Sequence, residues 1–362
     1  MRRYIVLALL TTMFVGCVKD QTKDLAVEVG ADKIYVTMEQ CENRVQLNSQ
    51  KQTVWTKNDK MAVYTAGGVR FYTFDGETGD RSGSFTRTGE YTAEINTAGM
   101  YYALHSADCT SPIYGHYQDG SLALFSTLPH TQDYLEGSYD EASNVMVGES
   151  SDGENFALKN VLGYLRLSIT GNNSVKNIKL TSNDGSAIIG QIAFKASDVR
   201  VWQFYDLMSP TITLNCGDGV LLSETPTEFY FALPPVTFAE GFNVEVNFTD
   251  GSQFIQRTSQ EVAITRNTIQ PMETFKTNVD DSEYQRIYIY HTGTEVAAPL
   301  MTVGGNASID WGDGNVSLLN QFTSYTYTDG ASSHVITIKA LGAENLTMPS
   351  MKGVTKIDLS NF

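Results

Sequence analysis

The chain has 362 residues, which as a soft prior suggests about two or three domains. It carries 41 acidic against 25 basic side chains, a formal net charge of −16, so it repels phosphate backbones and anionic headgroups and is not expected to bind nucleic acid or adsorb to a membrane surface. Hydrophobic residues at 41% are enough for ordinary cores, and 19 Tyr with 17 Phe favour strands over helices.

Arg2 and Arg3 precede an apolar run, Tyr4 to Val15, broken only by Thr11 and Thr12; Gly16 and Cys17 follow. This is the layout of an export signal, too short to span a bilayer. The small residue placed directly before Cys17 resembles the lipobox of bacterial lipoproteins, although Phe14 departs from the usual Leu. The resemblance implies acylation of the Cys17 sulfur and loss of residues 1–16, with the membrane reached only through that lipid. Residues 17–30 are polar and charged and read as a tether. The charges just after Cys17 resemble the surface-export signal of Bacteroidetes lipoproteins. No later apolar run is long enough to cross a membrane either.

From Ala31 onward the pattern is β. Lys33 to Met38, Met61 to Tyr64, Val69 to Phe74 and Met100 to Leu104 are short runs rich in Val, Ile, Tyr and Phe, with turn pairs such as Asp75-Gly76 and Asp119-Gly120 between them. The polar stretch Glu149 to Glu154 reads as a boundary, giving units at 31–150 and 151–278. In the second unit Leu165, Leu167 and Ile169 alternate with polar residues. So do Phe242, Val244, Val246 and Phe248, and Asp250-Gly251 then supplies a hairpin turn. No segment holds a helical period. The predicted fold class is all-β, built of sandwiches or barrels.

Several segments carry a resemblance in common. They are VWTKNDKMAVYT at 54–65, AGMYYALHS at 98–106, LPHTQDY at 128–134, FALKNVLGYLRLSITG at 156–171, FYFALPPVTFAEGFNVEVNFTDG at 229–251 and ITRNTIQPM at 264–272. In order and spacing they resemble the fimbrillin-type proteins of Bacteroidales over roughly residues 31 to 278. That resemblance implies two tandem transthyretin-like β-sandwiches. It also implies assembly with other fimbrial subunits by insertion of a donor strand, after a protease cuts behind a basic residue and the first strand is lost. Arg44, between the first strand and the Trp55 motif, resembles that maturation site; a solvated Arg in a hairpin loop is the equal alternative.

Residues 279–345 hold a third strand set with the signature Ser308-Ile-Asp-Trp-Gly-Asp-Gly314, then Thr323 to Tyr327, then an alternating strand from His334 to Lys339. These resemble the PKD-type β-sandwich of surface proteins. Residues 346–362 look like the lead-in to leucine-rich repeats, but a solenoid needs about three units and none follows.

Asp310 and Asp313 beside Gly314 invite a calcium reading, but the EF-hand spacing is absent and a hairpin turn with Trp311 packed beside it is expected. The five His are scattered, and Cys41, Cys109 and Cys216 match no metal spacing; a Cys41–Cys109 disulfide is open. No hydrolase elbow, zinc-protease pair or phosphate loop occurs, so no catalytic residue, metal site or cofactor is predicted. Trp55 is expected in a core. Trp202, with Phe204 and Tyr205 close by, is either an exposed aromatic patch or part of a buried strand, with burial expected.

The sequence thus reads as a lipid-anchored surface protein of the outer membrane and not an enzyme. Its expected role is that of an accessory or tip subunit of an adhesive pilus that meets a host or bacterial surface receptor or glycan. The alternative is a stand-alone glycan-binding lipoprotein. A hydrolase using paired carboxylates is a third class, since such pairs meet in space from any distance in sequence.

Overall fold

The computed structural model describes residues 31–39 and 54–362. Among them the regular structure is β throughout, apart from two three-residue 3-10 turns at Glu141–Ser143 and Asp281–Glu283. The all-β class is therefore as the composition predicts.

The first ten strands are β1 (Lys33–Met38), β2 (Lys60–Thr65), β3 (Gly68–Phe74), β4 (Ser82–Thr92), β5 (Tyr101–His105), β6 (Tyr114–His116), β7 (Leu122–Thr127), β8 (Thr131–Asp133), β9 (Met146–Ser150) and β10 (Asn155–Asn160). Seven of them form a closed path, β1-β10-β9-β5-β2-β3-β4, with β4 returning to β1. Closure leaves that sheet no free edge. Met61 and Val63 of β2 point inside with Trp55, Phe74 and Phe85, while Ala62 and Tyr64 point outside into a second, larger core. Both faces of β2 are dry, which is why its sequence runs apolar without strict alternation.

The polar stretch 149–154 does not divide the strands as its composition suggests. It is the turn of a hairpin, with β9 and β10 antiparallel on either side. Asp152 holds that turn by accepting the Glu154 and Asn155 amides at 2.8 and 3.0 Å. Polar turn residues serve a hairpin as well as a linker, and only the pairing partners tell the two apart.

Twelve strands follow: β11 (Gly163–Thr170), β12 (Ser174–Ser182), β13 (Ile189–Lys195), β14 (Asp198–Ser209), β15 (Thr211–Leu221), β16 (Thr227–Leu233), β17 (Thr237–Phe238), β18 (Phe242–Phe248), β19 (Gln253–Thr258), β20 (Val262–Ala263), β21 (Ile269–Pro271) and β22 (Phe275–Lys276). They recruit strands from the earlier part of the chain: β7 pairs with β13, and β8 runs parallel to β15. Gln132 of β8 is fully buried and closes both ends of its amide on Ala232, at 2.8 and 2.9 Å. Leu165, Leu167, Ile178, Leu180, Leu214, Val244 and Val246 share one core with Tyr64 and Leu104 of the closed sheet. The β18–β19 hairpin turns at Asp250-Gly251, where Gly251 has φ +87°, a region open to glycine without strain.

The last seven strands are β23 (Gln285–Thr292), β24 (Glu295–Ala297), β25 (Ala307–Asp310), β26 (Val316–Leu318), β27 (Ser324–Thr326), β28 (Ser333–Ala340) and β29 (Val354–Asn361). Five make one sheet, β26-β25-β28-β23-β29, over a separate core containing Ile289, Trp311, Ile336 and Ile338. Residues 346–362 are not a separate tail: within them β29 is an antiparallel edge strand of this sheet, with Ile357 opposite Ile289. The acidic stretch at 278–283, just before β23, is tied down as well. Glu283 takes a hydrogen bond from Lys276 at 2.7 Å, and Asp281 pairs with Arg286 and Lys339. Beyond it, the Gly304 carbonyl accepts the Arg257 amide at 2.8 Å, so the C-terminal unit leans on the edge of β19.

Candidate functional site

β1 enters the closed sheet between two strands that come from distant parts of the chain. It runs parallel to β10, with Val36 opposite Phe156, and antiparallel to β4, with Val36 opposite Gly83. Ile34, Val36 and Met38 alternate inward and join the core of Trp55, Met61, Phe74 and Phe85. On the outer face Lys33 approaches Asp75 at 3.4 Å, and the Tyr35 hydroxyl donates to Ser82 at 3.0 Å. The three inward side chains stabilise the strand by roughly 1.5–3 kcal/mol each if burial is complete. The outer contacts are exposed and contribute little.

The end of β1 is fastened differently. Glu39 follows Met38, and its carboxylate accepts from Arg266 Nη1 at 2.6 Å and Nη2 at 3.0 Å, and from the Asn160 amide at 3.1 Å. Both side chains of the ion pair are mostly shielded, at 26% and 22% exposure. Arg266 Nη1 also donates to the Asn160 carbonyl at 2.7 Å, which holds the guanidinium from the other side. The turn that carries Arg266 packs on the start of β11. The Asn267 amide donates to the Leu162 carbonyl at 2.7 Å, and the Tyr164 amide to the Thr268 carbonyl at 2.9 Å. A Cβ on Gly163 would lie 2.3 Å from the Thr265 carbonyl oxygen, so this close approach needs glycine. In the sequence Arg266-Asn267 stands out only as part of the segment at 264–272, and Glu39 stands in no motif. The partnership spans 227 positions, and no local pattern announces it.

Of the other residues marked in the sequence, Cys17, Cys41 and Arg44 lie outside the described residues. Cys109 and Cys216 are buried free thiols, and burial pushes them up to about 11 and about 12. They are inert rather than nucleophilic. Trp55 is fully buried, as expected. Trp202 departs from the expectation of burial. It is half-buried on β14, edge-on to Phe204, with Val201, Tyr205, Leu207 and Met208 exposed beside it. β14 is the edge of its sheet, so one side of it has no neighbouring strand.

Asp313 sits in the β25–β26 turn, where it accepts the Asn315 amide at 3.0 Å and the Tyr325 hydroxyl at 2.7 Å. Trp311 stacks on Tyr325 at 4.3 Å. Among the described residues no group of three or more His, Cys, Asp or Glu could hold a metal ion, and no helix is long and apolar enough to cross a membrane. A groove of about 600 Å³ lies between β19 and the C-terminal unit, lined by Asn183, Asn243, Arg257, Gln260, Thr302 and Glu344 among others. Among the described residues no aromatic side chain lines it.

No family model matches the chain, and no curated protein matches it. Several solved structures are loosely similar. A candidate cell adhesion protein of Bacteroides ovatus is 14% identical, with 67% of this chain and 91% of that one covered at a TM-score of 0.40. Another from Bacteroides uniformis is 12% identical, covering 68% and 93% at 0.41. A fimbrial protein of Bacteroides ovatus is 10% identical, covering 80% and 54% at 0.31.

Proposed function

We propose that this chain is a surface lipoprotein that serves as a subunit of an adhesive pilus, accepting a strand from a neighbouring subunit in the slot that β1 fills. The observation that carries the reading is the seating of β1. It is flanked on both sides by strands from elsewhere in the chain, and its loss would bare two hydrogen-bonding edges and the pockets of Ile34, Val36 and Met38 together. An extended segment adding to such edges gains main-chain hydrogen bonds, with specificity from alternate side-chain pockets. Cleavage behind Arg44 would release the strand. The expected start of the mature chain is then Val45, which N-terminal analysis of protein taken from cells reads directly. A Cys17 start on fibre-associated protein would overturn the reading.

Donation by this chain is harder than acceptance. The segment after residue 278 continues into β23–β29 and its own core, so it is not free to reach a neighbour. An accepting subunit that does not donate terminates a polymer, which suits a tip position with the C-terminal unit presented outward. Immunogold with antibody to residues 284–362 should label fibre ends. Label along shafts, or only on cell bodies, would refute the tip. The glycan-binding alternative gains little from the groove beside β19, because flat sugar faces are recognised by aromatic platforms and none lines it.

A further inference from the structure

The slot left by β1 has a property that apolar alternation cannot supply. A strand that slips by two residues keeps the same side chains inward, so the pockets of Ile34, Val36 and Met38 accept any register displaced by an even number. Main-chain hydrogen bonds along β4 and β10 are equally indifferent to sequence. What distinguishes the registers is a charged seat at one end. Arg266 and the Asn160 amide converge on the Glu39 carboxylate, and a slip of two residues moves a carboxylate by about 6.6 Å, out of hydrogen-bonding reach. Part of the seat is held from outside β1. The Asn160 carbonyl holds Arg266 at 2.7 Å, and Asn160 Oδ1 accepts the Leu162 amide at 3.1 Å.

We infer that Arg266 is the register key of the slot. Among strands with alternating apolar residues it selects one that carries a carboxylate directly after its third inward residue, in the order of Ile34, Val36, Met38 and Glu39. The partner is therefore an acidic-ended strand running parallel to β10. This inference rests on the proposed loss of β1 and names the chemistry of the strand that replaces it. A bidentate guanidinium–carboxylate pair is both strong and geometrically selective, so the discrimination against a neutral end should be about tenfold or more.

The test uses the full chain with a unique protease site replacing residues 42–47; after the cut the N-terminal segment is stripped in denaturant and removed before refolding, so that the slot is empty. The probe is a fluorescent peptide of residues 32–40, and a second peptide carries Glu39→Gln. Anisotropy of the cut protein reads binding of each. The expected result is that the parent peptide binds about tenfold tighter than the Gln peptide, and that Arg266→Gln in the protein abolishes the difference, with Arg266→Lys retaining part of it. Equal binding of the two peptides by the cut parent would overturn the register key while leaving strand acceptance intact. No binding of either peptide after cutting, with the melting transition retained, would overturn strand acceptance and the key with it.

Discussion

Glu39 and Arg266 stand 227 positions apart and meet in two hydrogen bonds of 2.6 and 3.0 Å. The pair joins the end of β1 to the turn before β21, and so links the closed sheet to the core that holds β11 and β16. In the intact chain, breaking it by Glu39→Gln should loosen β1 by about 1–3 kcal/mol, because Arg266 is left with one partner fewer in a shielded place. Hydrogen exchange at the amides of Tyr35 and Glu39, which bond to the Glu154 and Leu158 carbonyls, should quicken before global unfolding. Exchange no faster than in the parent would show that the apolar face alone holds the strand.

The two faces of β1 should respond unequally to exchanging a methyl and a hydroxyl. Val36→Thr puts a hydroxyl at a fully buried position and should lower stability by about 1–3 kcal/mol. Thr37→Val, one residue on and exposed, should stay within about 0.5 kcal/mol. Chemical denaturation followed by tryptophan fluorescence reads both, since Trp55 lies in the affected core.

The C-terminal unit should weaken in mild acid. His291 of β23 is buried, and burial holds its pKa below the ordinary value of 6.5. The unfolded chain then binds more protons than the folded one as the pH falls through 6.5. Stability is full above that value and declines below it, down to the depressed folded value. Melting of the full chain between pH 7.5 and 5 should show the transition of this unit move down, and His291→Gln should flatten the slope. An unchanged slope would locate the acid sensitivity elsewhere.

Asp313→Asn should change stability by about 1 kcal/mol or less, since Asn-Gly serves the same turn and Asn can still accept from Tyr325. Calcium should not raise the melting temperature of parent or variant. A calcium-dependent rise lost in the variant would make Asp313 a ligand.

Cys17→Ser should abolish incorporation of labelled fatty acid into the protein expressed in its own membrane system. Labelling as strong as in the parent would remove the proposed anchor.

The β class and the inner faces of β1, β11 and β18 were legible in the sequence, because a strand with one dry face writes its geometry as alternation at Ile34, Val36 and Met38 or at Val244 and Val246. The turns at Asp250-Gly251 and Asp313-Gly314 were legible for a similar reason, since positive φ is a local demand that glycine meets cheaply. Tertiary structure alone decided which strands became neighbours. The hairpin at 149–154 has the composition of a linker, β29 has that of a separate tail, and β14 keeps Trp202 at an edge instead of in a core. Pairing in a sheet is a long-range choice made by the fit of whole faces, and a residue's own neighbours in sequence carry almost none of it. Glu39 and Arg266 are the sharpest instance: each is an ordinary charged residue beside a turn, and only the closing of the sheet brings them together.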